Sequence, residues 1–390
     1  MRNNKTFKLS AIALVISSNV VLAQSKDTGF SISADALIAY DDNIYRVSDE
    51  LATSDAFVSI APKIEFVGGL GKHRFQASYT GDYAEFNEES DASFTDHEFE
   101  ARLDLDHTLR FSSQFEAGYQ RAHEEPGRIN RIQLDITEYN RFKQSYFLAG
   151  VSYGQESSIG KITLNYRRVD RDQTNNELDF LDNESDQWLA RFTYRVAPKT
   201  KVYVEGSKTD FDYTPGSTFE LDNEYIRYRA GVSWEFTNKL TGDVNIGYQD
   251  RNYSQEFLND ISGLTYDGQL SWSINTYTSV SIIASRESVD SAVQNAGGSL
   301  RTSYSTRVKH DLTELLAIRA DFSYANDELV FSSNRQDKRY SYGFGLDYDL
   351  SRLVNLSAAY TYEERDSTNE LANYEANIIG LSVNVKFGDL

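Results

Sequence analysis

Trp188-Leu189-Ala190-Arg191-Phe192-Thr193-Tyr194-Arg195-Val196 is the stretch that decides the fold. Successive side chains of an extended strand point to opposite faces. Trp188, Ala190, Phe192, Tyr194 and Val196 therefore share one face, and Leu189, Arg191, Thr193 and Arg195 share the other. The alternation returns in Ile226, Tyr228, Ala230, Val232 and Trp234 opposite Arg227, Arg229, Gly231, Ser233 and Glu235. It returns again in Leu264 to Ile274, Tyr340 to Leu350 and Val354 to Tyr362. A soluble sandwich turns its apolar face inward, whereas a transmembrane barrel turns apolar residues out to lipid and polar ones in. Tyr and Phe gather near segment ends, where aromatic girdles meet the two membrane interfaces.

The start of the chain gives the compartment. Arg2, Lys5 and Lys8 precede an apolar stretch from Leu9 to Leu22, and Val21-Leu22-Ala23 carries the small residue that signal peptidase accepts. Residues 1–23 are thus expected to be a signal peptide and residues 24–390 a single barrel domain in a Gram-negative outer membrane. No later segment approaches the roughly 18 to 20 continuous apolar residues of a membrane helix. With Tyr at 26, Phe at 22 and Cys absent, the composition suits a strand-rich exported chain and excludes a disulfide scaffold. The formal charge of −20 becomes −23 once the three leader cations leave, a surface that repels nucleic acid.

Strand-length segments count to about 18, with 16 as the alternative count, in an all-β antiparallel barrel. Short turns fall near Gly68–Gly71, Asp106–Leu109, Gly154–Gly160, Ala197–Lys199, Phe236–Lys239, Asn275–Tyr277, Asp311–Glu314 and Leu350–Leu353. Longer acidic links alternate with them, the first from Asp41 to Asp55 and the last from Glu364 to Asn373. Bacterial barrels place short turns in the periplasm and long loops outside, which puts both termini on the periplasmic side. The final strand presents Ile379, Leu381, Val383, Val385 and Phe387 outward, similar to the aromatic-ended strand that outer-membrane assembly machinery recognises. Gly388, Asp389 and Leu390 follow that aromatic. Three places break the alternation: the phase change between Tyr146 and Phe147 and Lys208 on the face of Val202 and Val204 predict bulges, and Pro62 inside the second strand predicts a bulge or a rim position. No plug domain is expected.

Function is expected on the inward face. Arg74, Arg102, Arg167, Arg191, Arg195, Arg227, Arg229, Arg301, Arg307 and Arg319 point there, with Glu65, Asp82, Asp104, Glu116, Asp243, Asp267, Asp321, Asp347 and Glu363. A barrel of about 16 to 18 strands leaves an aqueous channel unless loops enter it. Charged ladders across it would select anionic or polar solutes, and the alternative is that they pair to stiffen the wall. Arg167, Arg191, Arg195, Arg227 and Arg229 are the favoured functional patch, as five cations exceed what two or three acids neutralise.

Tyr40-Asp41-Asp42-Asn43-Ile44-Tyr45-Arg46 closes the first strand. It resembles a motif near the start of outer-membrane β-barrel porins associated with exopolysaccharide or capsule synthesis and export. The resemblance implies passage of a secreted polysaccharide through a channel without cofactor or metal. It brings no catalytic residue. Physically, Asp41, Asp42 and Asn43 read first as turn-formers whose side chains bond nearby amides, and second as oxygen ligands for calcium or sugar. The expected partners are membrane lipid, the assembly machinery and the polysaccharide. Two rival classes stand beside the channel. An enzyme would need a nucleophile and base, but His73, His97, His107, His123 and His310 are scattered, and His123 beside Glu124 and Glu125 reads as solvated loop. An adhesive or structural barrel would act through the acidic loops, whose composition any outer surface shares.

Overall fold

The computed structural model describes residues 28–127, 138–155, 157–214, 221–237, 239–291, 293, 297–330 and 335–388. The leader expected over residues 1–23 lies outside them. Eighteen strands follow one another: β1 (Gly29–Asp41), β2 (Asp55–Leu70), β3 (His73–Phe86), β4 (Phe94–Asp106), β5 (Phe111–His123), β6 (Arg141–Tyr153), β7 (Gly160–Gln173), β8 (Asn183–Ala197) and β9 (Thr200–Tyr213). The second half comprises β10 (Asn223–Thr237), β11 (Leu240–Tyr253), β12 (Ile261–Ser273), β13 (Thr278–Asp290), β14 (Gly298–Asp311), β15 (Leu316–Leu329), β16 (Gln336–Asp349), β17 (Val354–Ser367) and β18 (Tyr374–Gly388). Each pairs antiparallel with its sequence neighbours, and β1 pairs with β18, so the sheet closes without an edge. The barrel of 18 strands is the expected fold. Closure matters because an unpaired backbone group in hydrocarbon costs several kcal/mol.

The apolar face is outside. Trp188, Phe192 and Tyr194 of β8 and Tyr228 of β10 are exposed, whereas Arg227 and Arg229 of β10 are buried. Strands run 13 to 16 residues, longer than the roughly 9 to 11 that a tilted span needs. The surplus extends past the apolar belt at the long-loop end, which the loop rule makes extracellular. There even outward positions turn polar: Lys208 pairs with Glu224 at 2.6 Å and Asp210 at 3.1 Å, and Arg168 with Asp186 at 3.1 Å.

None of the three expected bulges forms. β9 pairs in constant register through Lys208, whose charge lies among the outward carboxylates beyond the belt. β6 keeps register past Tyr146 and Phe147, so Tyr146 and Leu148 face inward and Phe147 outward. Pro62 pairs with Ala34 on β1. Toward β3 the ladder lapses over Ala61 and Pro62 and resumes in the same register, leaving no extra residue. Register shifts occur instead beside two short turns, at Arg195/Ala197 and Trp234/Thr237.

Candidate functional site: the charged lumen wall

Every inward charge expected from alternation lies on the inner face, and the register groups these charges by height. Near the turn end, Asp321 of β15 is shared by Arg307 and Arg319, and Arg319 also reaches Asp347 at 3.0 Å. Ser357 donates to Asp347 at 2.8 Å. On the opposite wall Arg102 reaches Asp104 at 3.0 Å and Glu116 at 2.9 Å. These guanidiniums stand partly in solvent.

At mid-height the Nε of Arg191 donates to Glu205 at 2.6 Å, and Arg229 holds the other oxygen of that carboxylate. Tyr203 donates to Asp243 at 2.6 Å. Arg227 stacks over Tyr225 at 5.0 Å and faces Glu287 at 4.0 Å. Asp267 is inward on β12, in register with Asn245 and Ser285. Arg167 lies over the Tyr146 ring at 4.8 Å. Within the expected five-cation patch, Arg191 and Arg229 share the single carboxylate of Glu205 and Arg227 faces Glu287. Arg195, near the turn end of β8, is not part of the group.

Toward the extracellular end Asp327, fully buried, takes Arg301 at 2.5 Å and Arg339 at 2.8 Å. Arg335 clamps Asp337 with two bonds of 2.8 and 2.7 Å.

Loops occupy this half of the lumen, which the sequence did not predict. The β1–β2 loop carries the Tyr40–Arg46 motif, and each polar residue in it has a structural use. Asp42 accepts from the Asn377 amide at 2.6 Å and its Nδ2 at 2.8 Å, and Asn43 donates to the Glu375 carbonyl at 2.9 Å, tying the loop to β18. Arg46, at φ 55, reaches Asp41 and Glu363, both at 2.8 Å. Burial opposes its charge, but the Glu363 and Asp41 carboxylates outweigh burial and hold its pKa above the ordinary arginine value. Ile44 and Tyr45 pack with Phe86, Ala92 and Tyr139. Burial first, and then the Glu89 carboxylate, push the Tyr45 hydroxyl up to about 12. The turn-forming reading of Asp41, Asp42 and Asn43 describes these bonds.

From the β5–β6 loop the Gly127 carbonyl accepts from Arg339 and Arg365 on the far wall. The tip of the β13–β14 hairpin enters from the other side. Pairing of β12 with β13 stops at Tyr266↔Arg286, although β13–β14 pairing continues to Asp290↔Gly298. The released tip crosses the inner face of β11: Gln249 accepts from the Ser288 amide at 3.0 Å, and Arg251 reaches Asp290 at 2.5 Å. Leu300 packs there on an apolar cluster of Leu178, Leu181, Tyr213, Leu221, Tyr253, Leu258 and Ile261.

Glu205, Arg251, Glu287, Asp327, Arg339 and Arg365 went unpredicted. All but Glu205 lie toward the long-loop ends of their strands, where the outward face turns polar too and alternation fades. Glu205 does alternate, but its two partners are on other strands. The histidines serve separate local contacts; His123, for example, bonds Asp96 at 2.8 Å and stacks on Phe94 and Tyr139.

Residues 31–387 match the family model described as "Putative beta-barrel porin 2". No curated protein matches. Among solved structures, the outer membrane protein OpdK of Pseudomonas aeruginosa is 11% identical with a TM-score of 0.51, over 93% of this chain and 100% of that one. OpdO of the same organism is 11% identical with a TM-score of 0.52, over 94% and 98%. At such identities the likeness is one of fold.

Proposed function

The chain belongs to this family of β-barrel porins, and from that premise we propose that it is a selective outer-membrane channel for polar and anionic solute, serving export of a secreted polysaccharide. The observation that carries this reading is the belt of charge that crosses the inner wall from β7 to β16. Arg167, Arg191, Arg195, Arg227, Arg229, Arg301, Arg307 and Arg319 alternate along it with Asp243, Asp267 and Asp347, and Asp104 answers from the opposite wall. A polymer of polar units needs many weak, repeated contacts rather than one tight site. Charge-assisted hydrogen bonds spaced along the wall supply that wherever a guanidinium reaches solvent, because each can be exchanged for the next.

The inward loops favour selection over bulk diffusion, since the tip of β13–β14 and the β1–β2 loop narrow the extracellular half. The resemblance of Tyr40–Arg46 to porins of polysaccharide export points to the cargo. The apolar, aromatic-ended β18 suits recognition by the barrel assembly machinery. The arrangement asks for no catalytic step, as translocation breaks no bond.

Single-channel recording of the refolded barrel in planar bilayers tests the proposal, with and without an acidic polysaccharide, beside Arg191→Glu plus Arg229→Glu. Current that the polysaccharide blocks in the natural chain but not in the variant is expected. A folded barrel that passes no current would overturn the channel reading and favour a structural or adhesive role.

A further inference from the structure

Two copies of one side-chain arrangement face each other on the inner wall. On β5, β6 and β7, Gly118 lies opposite Tyr146 in register, and Arg167 stacks over the Tyr146 ring at 4.8 Å. On β10, β9 and β8, Gly231 lies opposite Tyr203, and Arg191 stacks over the Tyr203 ring at 4.5 Å. Both tyrosines need their glycine, because a Cβ at Gly118 or Gly231 would overlap the ring. Each hydroxyl donates to a carboxylate one strand further out, Tyr146 to Glu100 at 3.0 Å and Tyr203 to Asp243 at 2.6 Å.

The two Gly–Tyr–Arg sets are related by a local two-fold axis through the pair Asn165↔Leu189. Arg167 lies two residues beyond Asn165 on β7, and Arg191 two residues beyond Leu189 on β8. The symmetry exposes one difference. Arg191 stands opposite Glu205 in register and is neutralised by it. Arg167 stands opposite Leu148, which is buried and apolar.

The other acids near Arg167 are spent: Glu100 holds Tyr146, and Glu116 takes Arg102 at 2.9 Å and Gln114 at 2.6 Å. The Nε of Arg167 is buried with no hydrogen-bond partner. Its planar head is thus fixed on an aromatic ring, at mid-height, without a carboxylate in ion-pair reach among the described residues. A guanidinium held that way presents a preformed fork to a planar oxyanion, with little side-chain entropy left to lose.

We infer that Arg167 is a specificity-determining residue of this belt, docking the carboxylate of a passing uronate-type saccharide, to which Arg191, neutralised by Glu205, contributes less. This rests on the channel reading above. A carboxylate on Arg167 fills the place that Glu205 fills beside Arg191, then leaves to the next cation, so the site retards and selects without trapping.

Block of the refolded full-length barrel by oligogalacturonate tests it, with maltohexaose as the neutral probe. Arg167→Gln should raise the half-blocking concentration of oligogalacturonate about tenfold or more, the scale of one lost charge-assisted hydrogen bond. Arg167→Lys should fall between, and Arg191→Gln should shift it less than Arg167→Gln does. Leu148→Glu, which copies the neutralised half, should match Arg167→Gln. Arg168→Gln, on the outward face of the same strand, should behave as the natural chain. Maltohexaose should not respond to Arg167. Unchanged oligogalacturonate block in both Arg167→Gln and Leu148→Glu would overturn the assignment while leaving the channel standing. A natural chain that folds yet passes no current would overturn both. Heat-dependent gel mobility verifies that each variant is a closed barrel.

Discussion

The two halves of the lumen use the same residue types and the same alternation, yet they are physically different places. In the turn-end half Arg102 keeps 43% of its side-chain surface in solvent beside Asp104. In the loop-end half Asp327 keeps none between Arg301 and Arg339. The first half is a wet vestibule lined by exchangeable ion pairs. The second is a packed constriction whose charges have been taken out of water by loops lying over them. A lumen charge in this barrel is therefore functional or structural according to what covers it, and the strand pattern that placed it does not distinguish the two.

The sharpest way to break that contrast is Asp327→Asn. Removing the carboxylate leaves Arg301 and Arg339 buried around a neutral amide, and breaking a buried pair in this way costs about 3 to 5 kcal/mol. The urea midpoint of the folded barrel should fall accordingly. A loss no larger than about 1 kcal/mol would mean that the extracellular half is as wet as the other.

Next in size is Arg251→Met. Arg251 joins Asp290 on the inward tip of β13–β14 to Asn223 on β10, with bonds of 2.5 and 2.7 Å. Its loss should cost about 1 to 3 kcal/mol, free the tip and raise single-channel conductance. Unchanged conductance would show that the tip does not set the constriction.

Arg102→Gln should cost less than about 1 kcal/mol, because an exposed ion pair gains little over hydrated charges. A destabilisation as large as that of Asp327→Asn would erase the distinction from the other side. The smallest effect separates the halves by salt. At 1 M, where the screening length is about 3 Å, the Arg102→Gln difference should vanish while the Asp327→Asn difference persists.

Much of the architecture could be read from the sequence, and the exceptions are instructive. Tyr146 was taken as part of an apolar outward face, which forced a bulge after it. Tyrosine is amphipathic, and in the lumen its ring lies over Gly118 and under Arg167 while its hydroxyl reaches Glu100. Lys208 raised the same difficulty because alternation cannot show where the membrane ends and water begins. Asp327 and Arg365 fell in stretches taken for loops, since strands that rise above the belt turn polar on both faces. The Asp41–Asn43 turn was legible as a turn. Its bonds to Asn377 and Glu375 were not, because they join the two ends of the chain.

By itself the sequence determined the closed antiparallel barrel, a strand count of 18 or 16 that the structure fixes at 18, the alternation of turns and loops, and the inward face of every charged candidate. Those follow from a period of two and from lipid on one side of the wall, which act residue by residue. Only the tertiary structure decided which charges pair, that Glu205 quenches Arg191 while Leu148 leaves Arg167 without a carboxylate, and that loops from opposite walls enter one end of the lumen. Those depend on register, shear and loop packing, which bring together residues far apart in the chain, and local sequence carries no record of that distance.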